Sequence, residues 1–242
     1  MKSCRCLVVV LLILSFSSLA QAAYEGGFAD VSVNYLSWDN STVARSTKRD
    51  FAYLEIEGGS QFTSGETYGF FDLENLAKGA TEFRTAAKAI GRYYLGKSGF
   101  SLYGHVYNFT AAGFYEQNRV GGLGYQLRFK QGWFNPFLGL HDVSQTFYQG
   151  LNGYMGGWVF GYLFSAFGES FMATNWHELE FARAAGYAST YGGRSISHNG
   201  AAAIWWTTKI GIVPGLQWRY AKDKLGTSGN MNALIVSLKY MF

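Results

Sequence analysis

Asn230-Met231-Asn232-Ala233-Leu234-Ile235-Val236-Ser237-Leu238-Lys239-Tyr240-Met241-Phe242 is the stretch on which the fold turns. Leu234, Val236, Leu238, Tyr240 and Phe242 share one parity, and Ala233, Ile235, Ser237, Lys239 and Met241 share the other. Successive side chains of a β-strand point to opposite faces. One face of this strand is therefore apolar throughout, while the other carries an ammonium group. A tilted strand of roughly 9–11 residues crosses a bilayer, and this one is long enough.

The other end of the sequence narrows the class. Lys2 and Arg5 precede an unbroken apolar run, Leu7 to Leu14, and Ala20-Gln21-Ala22 has the small-x-small form of a secretory cleavage site. The reading is a cleaved signal peptide over 1–22 and a single outer-membrane β-barrel over 23–242. Cys4 and Cys6 are the only cysteines and leave with the leader, so no disulfide or thiol chemistry is expected. Loss of Lys2 and Arg5 lowers the formal net charge from +4 to +2, too small to point to nucleic acid. The closing strand, ending on Phe, resembles the C-terminal signature that the outer-membrane assembly machinery reads.

Composition fits an all-β membrane protein. Aromatics make up 18% of the chain and Gly numbers 31 against 2 Pro, while no stretch after the leader is long and apolar enough for a spanning helix. A membrane barrel alternates lipid-facing and lumen-facing residues, so its average polarity comes out neutral. Strands are expected near 28–38, 50–60, 66–76, 82–94, 99–109, 121–131, 133–147, 151–164, 168–182, 197–208, 210–222 and 230–242: an antiparallel barrel of about twelve strands. Ala80 to Gly91 also fits a short amphipathic helix, but Arg84, Lys88 and Arg92 share strand parity and favour the strand. Gly186 to Ser195 reads as an exposed loop, and Pro214 marks an edge or bulge position.

Charges within such strands should mark the lumen, because an Arg or Lys facing lipid at the midplane costs about 2–4 kcal/mol. Glu55 and Glu57 share parity, as do Asp72 and Glu74 on the next strand. Arg128 alternates with Leu127 and Phe129, Arg219 with Trp218 and Tyr220, and Glu178 and Glu180 share parity with Trp176. An inward Trp beside carboxylates suits a flat polar ring, which stacks on the indole while its hydroxyls or amines donate to the carboxylates. An internal salt-bridge network bracing the wall is the plainer reading of the same charges.

Tyr53-Leu54-Glu55-Ile56-Glu57 followed by Tyr68-Gly69-Phe70-Phe71-Asp72-Leu73-Glu74-Asn75-Leu76 resembles the acidic paired-strand region of the Tsx-like nucleoside-specific channels, a family that includes the OmpK proteins. Thr174 to Phe181, Gln217 to Tyr220 and Lys239 to Phe242 resemble it too. The stretch 77–99 matches poorly. The resemblance implies a monomeric twelve-stranded barrel whose narrow lumen binds nucleosides through aromatic and ionisable side chains. Tyr53, Glu55, Glu57, Asp72, Glu74, Trp176, Glu178 and Arg219 are then lining residues; Arg128 and Glu180 join them by alternation.

The expected function is passive, substrate-selective diffusion of nucleosides or similar small polar solutes across the outer membrane. Outer-membrane lipids and the assembly machinery are the expected partners, without nucleic acid. The alternatives are a plugged structural or receptor barrel and a lipid hydrolase. For the last, His141-Asp142 with Ser144, and Ser197-His198, are the suggestive combinations, but neighbours on a strand point apart and a nucleophile must meet its base. Dispersed histidines and the lack of a phosphate loop or dinucleotide fingerprint leave no cofactor or metal expected.

Overall fold

The computed structural model describes residues 22–242. The leader, except for Ala22, lies outside the described residues. Thirteen strands follow: β1 (Tyr24–Trp38), β2 (Phe51–Phe62), β3 (Gly65–Glu74), β4 (Arg84–Tyr94), β5 (Phe100–Ala111), β6 (Phe114–Tyr125), β7 (Leu127–Phe129), β8 (Gly132–Gln145), β9 (Tyr148–Ala166), β10 (Glu169–Phe181), β11 (Ile196–Trp206), β12 (Ile212–Lys224) and β13 (Thr227–Met241). Two short helices, α1 (Asn40–Arg45) and α2 (Ala185–Ser189), lie in the β1–β2 and β10–β11 connections.

Neighbouring strands pair antiparallel, β1 pairs with β13, and β6 reaches past β7 to pair with β8. β6 and β7 form one stave broken at Gln126, so the closed barrel has twelve. Closure pairs every stave on both sides except at the three-residue β7 on the rim, as a lipid surround demands because it offers no other hydrogen-bond partners. The alternation of the closing strand holds: Leu234, Val236, Leu238 and Tyr240 are exposed, while Ala233, Ile235, Ser237 and Lys239 are buried. Val33, Ile56, Phe71, Leu102, Leu123, Leu138, Leu163, Ile204 and Leu216 continue the exposed apolar band around the wall.

Two expectations need correction. The strand placed at 121–131 starts earlier, at Phe114, and its continuous part ends at Tyr125, with Leu127–Phe129 carrying the stave on. Its polar first half reads as loop in sequence, but Glu116 and Asn118 are buried lumen residues. The end comes where Gln126 turns to donate to Glu66 and to the Tyr94 hydroxyl, at 3.2 and 3.1 Å. Gly186 to Ser195 is not simply an exposed loop: Tyr187 and Tyr191 on it are 0% and 2% exposed. The helix reading of Ala80 to Gly91 gives way to β4, and Pro214 pairs with Leu238 near the start of β12.

The two ends of the barrel differ. Connections 39–50, 75–83 and 182–195 are long and lie at one end; at the other are the turns 63–64, 95–99, 167–168 and 207–211 and both ends of the described chain. Long loops face the exterior in outer-membrane barrels and short turns face the periplasm.

Candidate functional site

The lumen is polar because every strand sends one parity inward. Three levels can be distinguished along it.

At the outer mouth the β10–β11 connection folds into the barrel. The Tyr191 hydroxyl donates to Glu116 Oε2 at 2.9 Å, and Lys224 Nζ donates to the Tyr187 hydroxyl at 2.8 Å. Lys224 also pairs with Glu180 and, at 3.5 Å, with Glu116 on the far side of the ring. Arg183 Nε lies 3.1 Å from Glu180, and its guanidinium sits 4.8 Å from both tyrosine rings. His141 Nε2 donates to Asn118 Oδ1 (2.8 Å), and Asn118 Nδ2 in turn donates to Glu116 at 2.6 Å. Buried charges in an apolar wall need such partners, and the inward loop supplies them. Loss of water around the tyrosines pushes their hydroxyls well above the usual phenol range. From the β1–β2 side, Val43 of α1 packs on a buried cluster containing Leu36, Trp38, Phe51 and Met231, with Tyr53 beside it.

At mid-level Lys88 of β4 pairs with Glu178 of β10. These staves stand almost opposite each other in the ring, so the pair crosses the lumen. Trp176 faces inward between two cations: the Arg219 guanidinium lies 4.8 Å from its ring and Lys88 Nζ 5.8 Å. Arg219 is held by the Gly200 carbonyl (2.7 Å) and Asn199 Oδ1 (2.6 Å). On the acidic wall, Glu55 stands opposite Asp72 in register, and Lys239 reaches Glu57, Asp30 (3.5 Å) and Glu55 (4.0 Å). Tyr68 donates to Glu57 at 2.7 Å, and Glu74 is held by Arg84 at 2.7 Å. Asp72 Oδ1 is buried without a hydrogen-bond partner among the described residues. Lys239 also lies over Trp205, 4.6 Å from its ring. That indole lies flat on β12 because Gly215 has no side chain; a Cβ there would come within 2.2 Å of it.

At the periplasmic end Arg92 Nε pairs with Glu66 at 3.1 Å, Tyr94 donates to Glu66 at 3.0 Å, and Arg128 donates to Gln61 at 2.9 Å across several staves.

The structure thus brings Trp176, Glu178 and Arg219 together, and Glu55, Glu57, Asp72 and Glu74 onto one wall. Tyr53 belongs to the apolar cluster at the mouth, Glu180 to the mouth network, and Arg128 to the exposed periplasmic rim. Sequence reasoning misses Asp30, Glu66, Glu116, Tyr187, Tyr191 and Lys224. Asp30, Ser32 and Asn34 alternating with Val31, Val33 and Tyr35 is a usable signal for the first. The hydrolase combinations come apart: His141 and Ser197 face in, Asp142 pairs with Arg119 (2.8 Å), and His198 lies against His177. Among the described residues, no group of three or more His, Cys, Asp or Glu is arranged to hold a metal ion.

Residues 33–242 match the model of the family described as nucleoside-specific channel-forming protein, Tsx. Among solved structures, the KdgM porin superposes with a TM-score of 0.50 at 9% identity, over 88% of this chain and 99% of that one. The KdgM porin in complex with disordered oligogalacturonate gives the same values. An outer membrane channel from Pseudomonas putida F1 gives 0.45 at 11% identity, over 91% and 97%. At these identities the likeness is one of fold.

Proposed function

Because the chain belongs to the Tsx family of nucleoside-specific channel-forming proteins, and is on that ground an outer-membrane channel and not an enzyme, we propose that its solutes are nucleosides or similarly sized polar rings. One observation carries the reading: the inward indole of Trp176, set where Lys88 and Glu178 cross the lumen and flanked by Arg219. A nucleobase is flat and stacks on an aromatic face, while ribose hydroxyls donate to carboxylates and accept from guanidinium and ammonium groups. Glu178, Arg219 and Lys88 offer both kinds of partner within one level, and Glu55 and Asp72 offer acceptors on the acidic wall. A passing solute exchanges water for these groups in turn, bound firmly enough to enter and weakly enough to leave. Each barrel encloses its own lining, so conduction needs no second copy.

The buried Tyr187 and Tyr191 favour a second reading, a barrel plugged at its mouth and used as a receptor. Planar-bilayer recording separates the two. Discrete conductance steps, partly blocked by added adenosine or thymidine and insensitive to them in Trp176→Ala, support the channel with a nucleoside site. Steps that nucleosides leave unchanged in the wild type point to a general porin, and a silent folded barrel points to the plug.

A further inference from the structure

The outer wall carries a feature that the lumen does not explain. Along β12 the outward residues run Ile212, Leu216, Trp218, Tyr220, Lys222 from the periplasmic to the outer end; along β13 they run Tyr240, Leu238, Val236, Leu234, Asn232, Asn230. Both strands change from apolar to polar at the same height. The register joins these residues to two histidines in adjoining strands. His177, Gly200, Tyr220 and Asn232 form one cross-strand row, and His198, Lys222 and Asn230 form the next. A strand tilted about 40° gains roughly 2.6 Å of height per residue. That puts the second row about 5 Å and the first about 10 Å below the outer strand ends.

These side chains line an outward-facing recess of about 340 Å³. His177 stacks on Trp158 with ring centres 4.6 Å apart. Its Nδ1 lies 3.0 Å from the Tyr220 hydroxyl and its Nε2 3.4 Å from His198 Nδ1. Gly200 forms the floor: a Cβ there would stand 2.5 Å from the Tyr220 hydroxyl, so only glycine lets that ring lie across the strand. Lys222 is exposed beside the recess, and Arg45 of α1 donates to the carbonyl of Asn230 on its rim. The neighbouring carboxylate, Asp39, is already engaged as the cap of α1 (Thr42 N, 2.6 Å) and by Asn232 Nδ2 at 3.3 Å.

The Lys222 ammonium and the His198 imidazole on a lipid-facing wall want a partner that hydrocarbon cannot supply, whereas the Trp218 indole already donates to Asn232 Oδ1 at 3.3 Å. The change from apolar to polar residues on both strands sets the outer-leaflet headgroups at this height. We propose that the recess formed by His177, His198, Trp218, Tyr220 and Lys222 docks the phosphorylated glucosamine headgroup of an outer-leaflet glycolipid. Lys222, Arg45 and the His198 imidazole meet a phosphate through charge-assisted hydrogen bonds, with both nitrogens of His177 engaged in holding His198 and Tyr220 in place. The faces of Trp218 and Tyr220 meet the sugar, and Leu234, Val236 and Leu238 carry an acyl chain down the wall.

The test uses the full barrel, purified and delipidated in detergent, with bisphosphorylated lipid A as probe and phosphatidylglycerol as comparison. The thermal midpoint of the heat-modifiable folded band should rise with lipid A at concentrations at least roughly tenfold lower than with phosphatidylglycerol. The variant His177→Ala/His198→Ala/Lys222→Ala should lose that preference while keeping the wild-type lumen conductance. Lys222→Glu alone, a surface change that leaves the ring cluster intact, should weaken lipid A binding on its own. An equal response to both lipids in the wild type, or undiminished lipid A preference in folded variants, overturns the proposal.

Discussion

Replacing Lys224 by Met tests whether the mouth of the barrel is held by charge. Lys224, Glu180 and Glu116 have side chains only 7%, 3% and 10% exposed, so solvent screens them little. Arg183 at 3.1 Å remains to balance Glu180 in the variant, whereas Glu116 is left with no cation among the described residues. Stranding one partner of a buried ionic group costs about 3–5 kcal/mol, and the surviving arginine places this case near the lower figure. Converting the stranded carboxylate to an amide should return about 2 kcal/mol in Lys224→Met/Glu116→Gln, since Gln still accepts from Asn118 and Tyr191 can turn its hydroxyl to accept. Equilibrium urea unfolding in phospholipid vesicles, followed by tryptophan fluorescence, measures both. A loss for Lys224→Met below about 1 kcal/mol, the worth of an exposed pair, refutes the argument. So does a double variant no more stable than the single one.

Lys88→Ala removes the side chain that crosses to Glu178 and should raise single-channel conductance by roughly twofold; an unchanged conductance would place the constriction elsewhere. Tyr187→Ala/Tyr191→Ala should clear the mouth and raise the size limit in liposome swelling with a graded series of sugars. Lys48, on the β1–β2 connection, has its ammonium pushed down to about 8 by burial, with nearby Arg84 acting in the same direction. The mouth therefore loses a positive charge as pH passes 8, and the cation preference in reversal potentials should grow between pH 7 and 9 but stay flat in Lys48→Met. The sign for stability follows: above pH 8 the unfolded chain holds a proton that the folded one has lost, so this lysine adds stability as pH rises toward its ordinary value near 10.4.

Much of the wall is legible in the sequence. Period-2 alternation is local, so Leu234 to Tyr240 and Lys239 declare their faces without knowledge of their neighbours, as do Glu55, Asp72 and Trp176. The stave Phe114–Tyr125 escapes this reading because its lumen face, Glu116 and Asn118, is as polar as a loop. Tyr187 and Tyr191 escape it for the converse reason. Glycine-rich, polar sequence around them has the composition of an exposed loop, and only the buried charges of distant strands make it favourable to fold inward.

Lys222 and Lys224 divide the two kinds of knowledge. They share sequence parity, and alternation alone would put both on one face. In the folded chain Lys222 faces the outer wall and Lys224 the lumen, because the ladder with β13 shifts register between them and Asp223 takes a positive φ of 52°. The order of residues alone dictates that this chain alternates, crosses a bilayer with strands and turns most of its strand charges inward. Closure of the ring decides which charges meet, since Lys88 with Glu178 and Lys224 with Glu116 become neighbours only when the first and last strands pair.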